Sequence, residues 1–205
     1  MDNLIETINY KGYDIQVLYD TNAESPDAWG NDDCFLVYDH RDFNVKVDGF
    51  EPLDIFHKFS EGFKTYKGYW IFPVSAYIHG GVSLSLSKTE YPFTDKFDVS
   101  FKGFVLVQKQ AKWTWKKEQA TIVAEALIEQ WNLYLSGQVY GYCTELDSCW
   151  GFYGDDGEDE MIREAKQVID SKIEETLKAH FQQLKAYIRN KVPLYNRNQL
   201  DLINI

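Results

Sequence analysis

Residues 131–159 read WNLYLSGQVYGYCTELDSCWGFYGDDGED, and the fold turns on how this stretch divides. Ala120, Val123, Ala124, Leu127, Trp131, Tyr134 and Leu135 recur at helical spacing and lead into it. Ser136-Gly137 stops that helix, with glycine just past its end. Gln138 to Thr144 and Ser148 to Tyr153 then read as two aromatic strands of a hairpin turning at Glu145-Leu146-Asp147. The acids Asp155, Asp156, Glu158, Asp159 and Glu160 follow as a turn that opens a last helix, where the helix dipole favours negative charge.

That last helix is long. Ile162, Ala165, Ile169, Ile173, Leu177, Phe181, Leu184 and Ile188 keep one face until Pro193. Its far end is expected to project, to pack on a partner, or to fold back after a kink. The tail from Gln199 to Ile205 carries Leu200, Leu202, Ile203 and Ile205.

Upstream the pattern is mostly extended. Ile5 to Asn9 and Tyr13 to Asp20 flank a Lys11-Gly12 turn. A polar loop at 21–33 strands Trp29. Cys34 to Tyr38 is a buried strand. Pro52 opens a short helix that turns Leu53, Phe56 and Phe59 to one side and ends near Gly62. Tyr69 to Ile78 is a strand in which Pro73 calls for an edge position or a bulge. Gly80-Gly81 marks a hairpin, and Ser83, Ser85 and Ser87 alternate with Val82, Leu84 and Leu86 as an exposed face of hydroxyls. Phe101 to Val107 is the next strand, and Thr114 is the expected N-cap of the following helix. The expected architecture is α+β: a mainly antiparallel sheet packed against one mid-chain helix, with a long C-terminal helix. Residues 1–157 form the core domain, and 158–205 form a helix and tail that pack on the core or on a partner.

The chain has 205 residues, 44% hydrophobic and 16% aromatic, which supplies ample core for one domain. Its net charge is −11, and the charge is unevenly distributed. Residues 14–54 hold 11 acids and 2 bases, and residues 145–175 hold 11 acids and 3 bases. Residues 55–144 and 176–205 are net basic. A chain of this balance repels nucleic acid and membrane surfaces, so neither is expected as a direct partner. No apolar run approaches the ~20 residues of a spanning helix, and the N-terminus lacks a signal-peptide pattern. The expected location is the cytosol. Cys34, Cys143 and Cys149 form no CxxC pair, so a cysteine zinc site is not expected. Cys143 and Cys149 either face each other across the hairpin as a disulfide or are buried thiols, the simpler reading in a reducing compartment.

The chemistry-bearing clusters each have a plain structural reading. Asp39-His40-Arg41-Asp42 joins acid, base and cation at a strand end but has no nucleophile elbow, so it reads as an ion-pair turn. Asp155-Asp156-Gly157-Glu158-Asp159 has the carboxylates for calcium or magnesium without the spacing of a calcium loop, so it reads as a charged helix start. The serines after Gly80-Gly81 match no phosphate loop. No metal, cofactor or catalytic residue is expected.

The run from Tyr134 to Tyr142, followed by Asp147-Ser148-Cys149-Trp150-Gly151-Phe152-Tyr153-Gly154, resembles an uncharacterised family of bacteriophage and mobile-element proteins with a YLxGxVYGY…DSCWGFYG block. Ala23-Glu24-Ser25-Pro26 with Trp29 and Asp33 resembles that family's first loop, and Pro73 through His79-Gly80-Gly81 and Ser83-Leu84-Ser85 its central strands. The resemblance covers roughly residues 8–170. It departs at Phe97-Asp98-Val99-Ser100-Phe101-Lys102-Gly103, where a Trp-Asp-Ser-Gly-Gln-like string is expected.

The family transfers no activity residue by residue. It implies a context, because small accessory phage genes often encode inhibitors of host defence. The expected function is therefore a non-catalytic anti-defence protein of the bacterial cytoplasm, anti-CRISPR or anti-restriction. It would act as an acidic DNA mimic on a basic surface of a host nuclease or CRISPR effector. The expected contact residues are Trp29, Asp32, Asp33, Trp150, Tyr153, Asp155, Asp156, Glu158, Asp159 and Glu160. The alternatives are a small metal-dependent hydrolase using Asp39 and His40 or the 155–160 carboxylates, and a phage accessory oligomer without an inhibitory role. A homodimer through the last helix is also expected as an option.

Overall fold

A computed structural model describes residues 3–28, 30, 33–78, 80–87, 99–110, 114–193 and 196. It is an α+β fold of antiparallel sheets and three helices, the last of them long.

The first sheet is four-stranded. It contains β1 (Leu4–Tyr10), β2 (Tyr13–Tyr19), β9 (Val139–Cys143) and β10 (Ser148–Tyr153), in the order β1-β2-β9-β10. Lys11 and Gly12, with φ of 52° and 89°, make the tight turn between β1 and β2. The N-terminal hairpin thus pairs with a hairpin more than 120 residues away, through Gln16–Cys143, Val17–Tyr142, Leu18–Gly141 and Tyr19–Tyr140.

The second sheet has six strands. Its path is β4 (Phe43–Val45), β3 (Cys34–His40), β8 (Val99–Gln108), β6 (Tyr69–Ile78) and β5 (Thr65–Tyr66), and β7 (Val82–Leu86) also pairs with β6. Both of its faces are covered. Leu36, Tyr38, Phe72, Val74, Val105 and Val107 meet α2 (Lys117–Leu135) through Ala120, Ala124, Leu127, Ile128 and Trp131. Phe35, Val37, Ile71, Phe104 and Leu106 meet α1 (Pro52–Ser60) through Ile55 and Phe59. Strands buried on both faces explain the near-continuous apolar runs at 34–38 and 103–107.

Several sequence expectations are corrected here. Pro73 lies on an inner strand. β5 pairs with Tyr69 and Trp70, and β7 pairs with Val74 to Ile78, so Pro73 falls between them, where no strand needs its missing N–H. Its carbonyl accepts from the Ser87 N–H at 2.8 Å, and the expected bulge follows between Val74 and Ala76. Thr114 is not a cap. The helix begins after Lys116, and the Thr114 hydroxyl is taken by the Gln108 carbonyl and the Gln110 N–H, while its own carbonyl accepts from Trp70 Nε1 at 2.7 Å. α1 buries Ile55 and leaves Leu53 and Phe56 exposed. Ser87 is not on an open face, because its hydroxyl bonds that of fully buried Ser75. Cys143 pairs with Ser148, and Cys149 pairs with Tyr142. The two sulfurs therefore leave opposite faces of the hairpin and no disulfide forms. Of the three free cysteines only Cys34 is buried, which pushes its thiol up to about 12.

α3 (Gly154–Lys191) is 38 residues long, about 57 Å at the usual rise. Met161, Ala165 and Ile169 are fully buried on Ile15, Val17, Tyr140 and Tyr142 of the first sheet, with Ile162 and Ile173 alongside. Residue 158, where the sequence places a boundary, lies in the second turn of this continuous helix. Beyond Ile173 the helix projects, and Leu177, Leu184 and Tyr187 are exposed. Among the described residues no helix is long and apolar enough to cross a membrane.

Candidate partner-binding surface

The surface is built on the end of the first sheet where β2 stops, β9 starts and α3 begins. Its anchor is Trp150. On β10 the pairing runs Cys149–Tyr142, Trp150–Gly141, then Phe152–Tyr140, so Gly151 is an extra residue in a bulge and takes φ of 88°. The bulge resets the alternation. Cys149 and Phe152 face α3 and the core, while Trp150 and Tyr153 face outward. The Trp150 indole lies on Gly141, where an added Cβ would come within 2.2 Å of the ring. Only a glycine lets the indole lie flat on the backbone here. One face of the ring is therefore held, and the residue stays 44% exposed. Lys109 covers the rings of Trp70 and Trp115 at 4.9 and 4.4 Å, but among the described residues no cation lies over Trp150.

Carboxylates from the loop after β2, far from it in the chain, lie beside this indole. Asn3, Asp20, Thr21, Asn22, Glu24 and Trp150 line an open cleft of about 490 Å³. The loop that carries the acids is fixed to the hairpin. Asp20 N–H donates to the Val139 carbonyl at 2.8 Å, and the Tyr153 hydroxyl donates to the Glu24 carbonyl at 2.9 Å. Tyr153 is half-buried, and its phenol is pushed up first by burial and then by Tyr134, Asp20, Glu24 and Asp27.

α3 supplies the second group. Gly154 opens it at φ of 68°, tight against Leu133 of α2. Asp155 and Asp156 lie in its first turn with no side-chain cap, favoured there by the helix dipole. Glu158 is half-buried; burial, then Glu6 of β1, Asp155 and Asp159, hold its carboxyl above the ordinary range. Tyr140 is pushed up by burial and then by Glu158, Tyr19 and Asp155, and its ring lies 5.6 Å from that of Tyr19. Among the described residues, Asp155, Asp156, Glu158, Asp159 and Glu160 form no ion pair. A raised carboxyl with acidic neighbours and no cation marks an uncompensated negative region.

Of the expected contact residues, Trp150 and Tyr153 lie on the outer face of the first sheet with Asp20 and Glu24, while Asp155, Asp156, Glu158, Asp159 and Glu160 open the helix that packs on its other face. Asp33 sits apart on the loop entering the second sheet, where its carbonyl accepts from the Gln108 N–H. Trp29 and Asp32 lie outside the described residues. Glu6, Asp20, Glu24 and Asp27 belong to the surface and were missed. Only the pairing of β2 with β9 brings them in, and no local signal encodes it.

The first acidic block is split by the fold. Asp39 and Asp42 close the β3–β4 turn on the other sheet, where Arg41 makes two 3.0 Å bonds to Asp42 and His40 Nδ1 accepts the Asp42 N–H. Asp54 lies in α1 on that same sheet. Among the described residues no three His, Cys, Asp or Glu side chains are placed to hold a metal ion. The surface offers a fixed aromatic face and a field of carboxylates, which suits recognition of cations. No family model matches the chain, nor does any curated protein or solved structure.

Proposed function

We propose that this protein is a non-catalytic, phage-encoded anti-defence protein that binds a basic, nucleic-acid-binding surface of a host nuclease or CRISPR effector. The observation that carries the reading is the exposed, fixed indole of Trp150 beside Asp20 and Glu24 on the outer face of the first sheet, together with Asp155, Asp156, Glu158, Asp159 and Glu160 at the start of the helix on its other face, where among the described residues these five form no ion pair. Grooves that bind nucleic acid are lined by lysine and arginine set to meet phosphates, and a patch of fixed carboxylates competes for them. Trp150 adds what a phosphate strand lacks. An arginine guanidinium stacks on an indole and at the same time bonds a carboxylate, an arrangement lysine meets less well. Aromatic anchors of this kind dominate interface energies. The resemblance to phage and mobile-element proteins supports the same reading.

The test is phage plating on bacteria that carry a CRISPR or restriction system, with and without the expressed chain. Wild type is expected to raise plating efficiency on at least one system. Replacing Asp155, Asp156, Glu158, Asp159 and Glu160 with lysine is expected to abolish the gain, and in a purified nuclease assay to flatten the salt dependence of inhibition. Full inhibition by the reversed variant would overturn mimicry, and no gain on any system would overturn the anti-defence role.

A further inference from the structure

The free half of α3 carries an apolar seam that nothing among the described residues covers. Leu177 is 63%, Leu184 44% and Tyr187 62% exposed, and Phe181 and Ile188 are half-buried. Leu177, Phe181, Leu184 and Ile188 are spaced four, three and four residues apart, the d-a-d-a pattern of a heptad. We propose that this seam is an antiparallel dimer interface whose occupant is the same helix of a second copy of this chain.

Register and length support a second copy. In an antiparallel pair the a residues of one helix layer on the d residues of the other. Leu177 then lies opposite the second copy's Ile188, and Phe181 opposite its Leu184, and both layers repeat by symmetry. That register uses the whole free length. Residue 174, just past the sheet contact at Ile173, lies opposite residue 191, where the helix ends. Each copy's sheet therefore begins where the other copy's helix stops. No free helix is left over, and no sheet is overlapped.

Charge supports the same arrangement. Glu174 faces the second copy's Lys191 at both ends of the seam. From residue 176 to 191 the helix has Lys178, Lys185, Arg189 and Lys191 and no acid. The groove beside the point where α3 leaves the sheet is acidic, lined by Glu145, Leu146, Glu164, Lys172 and Glu175. The basic end of one helix thus reaches the acidic flank of the other. The one unfavourable contact is Lys178 near the second copy's Lys185, and Glu174, already 2.6 Å from Lys178, offsets it.

The test is sedimentation equilibrium of the full chain over a concentration series. A dimer is expected, at twice the 24.0 kDa chain mass. Leu184→Glu is expected to give monomer with an unchanged helical circular dichroism signal, and Leu177→Gln is the second variant should the first lose helix. Glu174→Lys alone and Lys191→Glu alone are each expected to weaken dimerisation about three- to tenfold, and the double variant to restore it. A monomeric wild type would overturn the proposal. So would a dimer that survives both seam variants, or a double variant no tighter than the singles.

Discussion

Two glycines lie beneath aromatic rings, and their surroundings predict different outcomes. A Cβ on Gly103 would fall 1.9 Å from Tyr38 Cδ2, and Tyr38 is fully buried with no room to move. Gly103→Ala is expected to cost about 1–3 kcal/mol, read as a lower urea midpoint. At Gly141 an added Cβ would meet the ring of exposed Trp150, which can swing outward, and the Cys149 carbonyl oxygen at 2.9 Å, which cannot. Gly141→Ala should therefore lower the urea midpoint as well and, by displacing the indole, weaken the proposed inhibition. Tyr142 is the converse case. Its side chain is fully buried, its hydroxyl makes no hydrogen bond of ordinary geometry among the described residues although Asp147 lies close, and burial with Asp147 and Glu164 pushes its phenol up to about 12. Tyr142→Phe removes a desolvated hydroxyl and should leave stability equal or higher by about 1 kcal/mol; a clear loss would show that the hydroxyl is satisfied. At this scale the sequence was partly readable. Trp150 and Tyr153 stand out in an aromatic block, but the Gly151 bulge that turns both outward has no signature beyond the glycine itself.

Elements were read well where their periodicity is strong and less well where tertiary contacts compete with local preference. The stripe of α3 and the alternation of β2 and β7 are set by side-chain spacing, so all three elements were legible. The start of α2 was misplaced because a threonine before a helix looks like a cap, and here Thr114 instead satisfies the end of β8 and Trp70. β7 shows a device that no pattern reveals. Asn132 of α2 donates to the Leu84 carbonyl at 2.9 Å and accepts the Leu84 N–H at 2.7 Å, so a helix amide takes the place of a neighbouring strand. This closes an edge otherwise open to pairing with another chain. Asn132→Ala leaves both backbone groups without their partner and is expected to cost about 1–3 kcal/mol, measured by thermal or urea unfolding. Asn132→Asp keeps the acceptor and loses the donor, and should fall between wild type and alanine.

On the scale of the whole molecule, the acids of the proposed recognition surface weaken the fold that carries them. The two acidic blocks were legible in composition, but the placing of Asp20 and Glu24 beside Trp150 was not, because it depends on a strand pairing across more than 120 residues. Glu158 reports the cost, since burial and then Glu6, Asp155 and Asp159 raise its carboxyl. A group raised on folding contributes stability that is fully present below its unfolded value and is lost as pH rises through its folded value. At neutral pH Glu158 is therefore a charged group that disfavours the fold. The opposite holds for Asp42, Asp170, Glu174 and Glu175. Arg41, Lys11, Lys178 and Lys172 hold these carboxyls low, and their contribution is lost on acidification. Glu158→Gln should thus raise the urea midpoint at neutral pH, and the gain should vanish as pH falls to about 4, where the native carboxyl is protonated in both states. A variant less stable than wild type at neutral pH, or a gain that persists in acid, would show that Glu158 is compensated. A variant that gains stability and loses inhibition would tie the electrostatic strain directly to recognition, because a carboxylate kept charged against its own fold is one whose field is free to act on a partner.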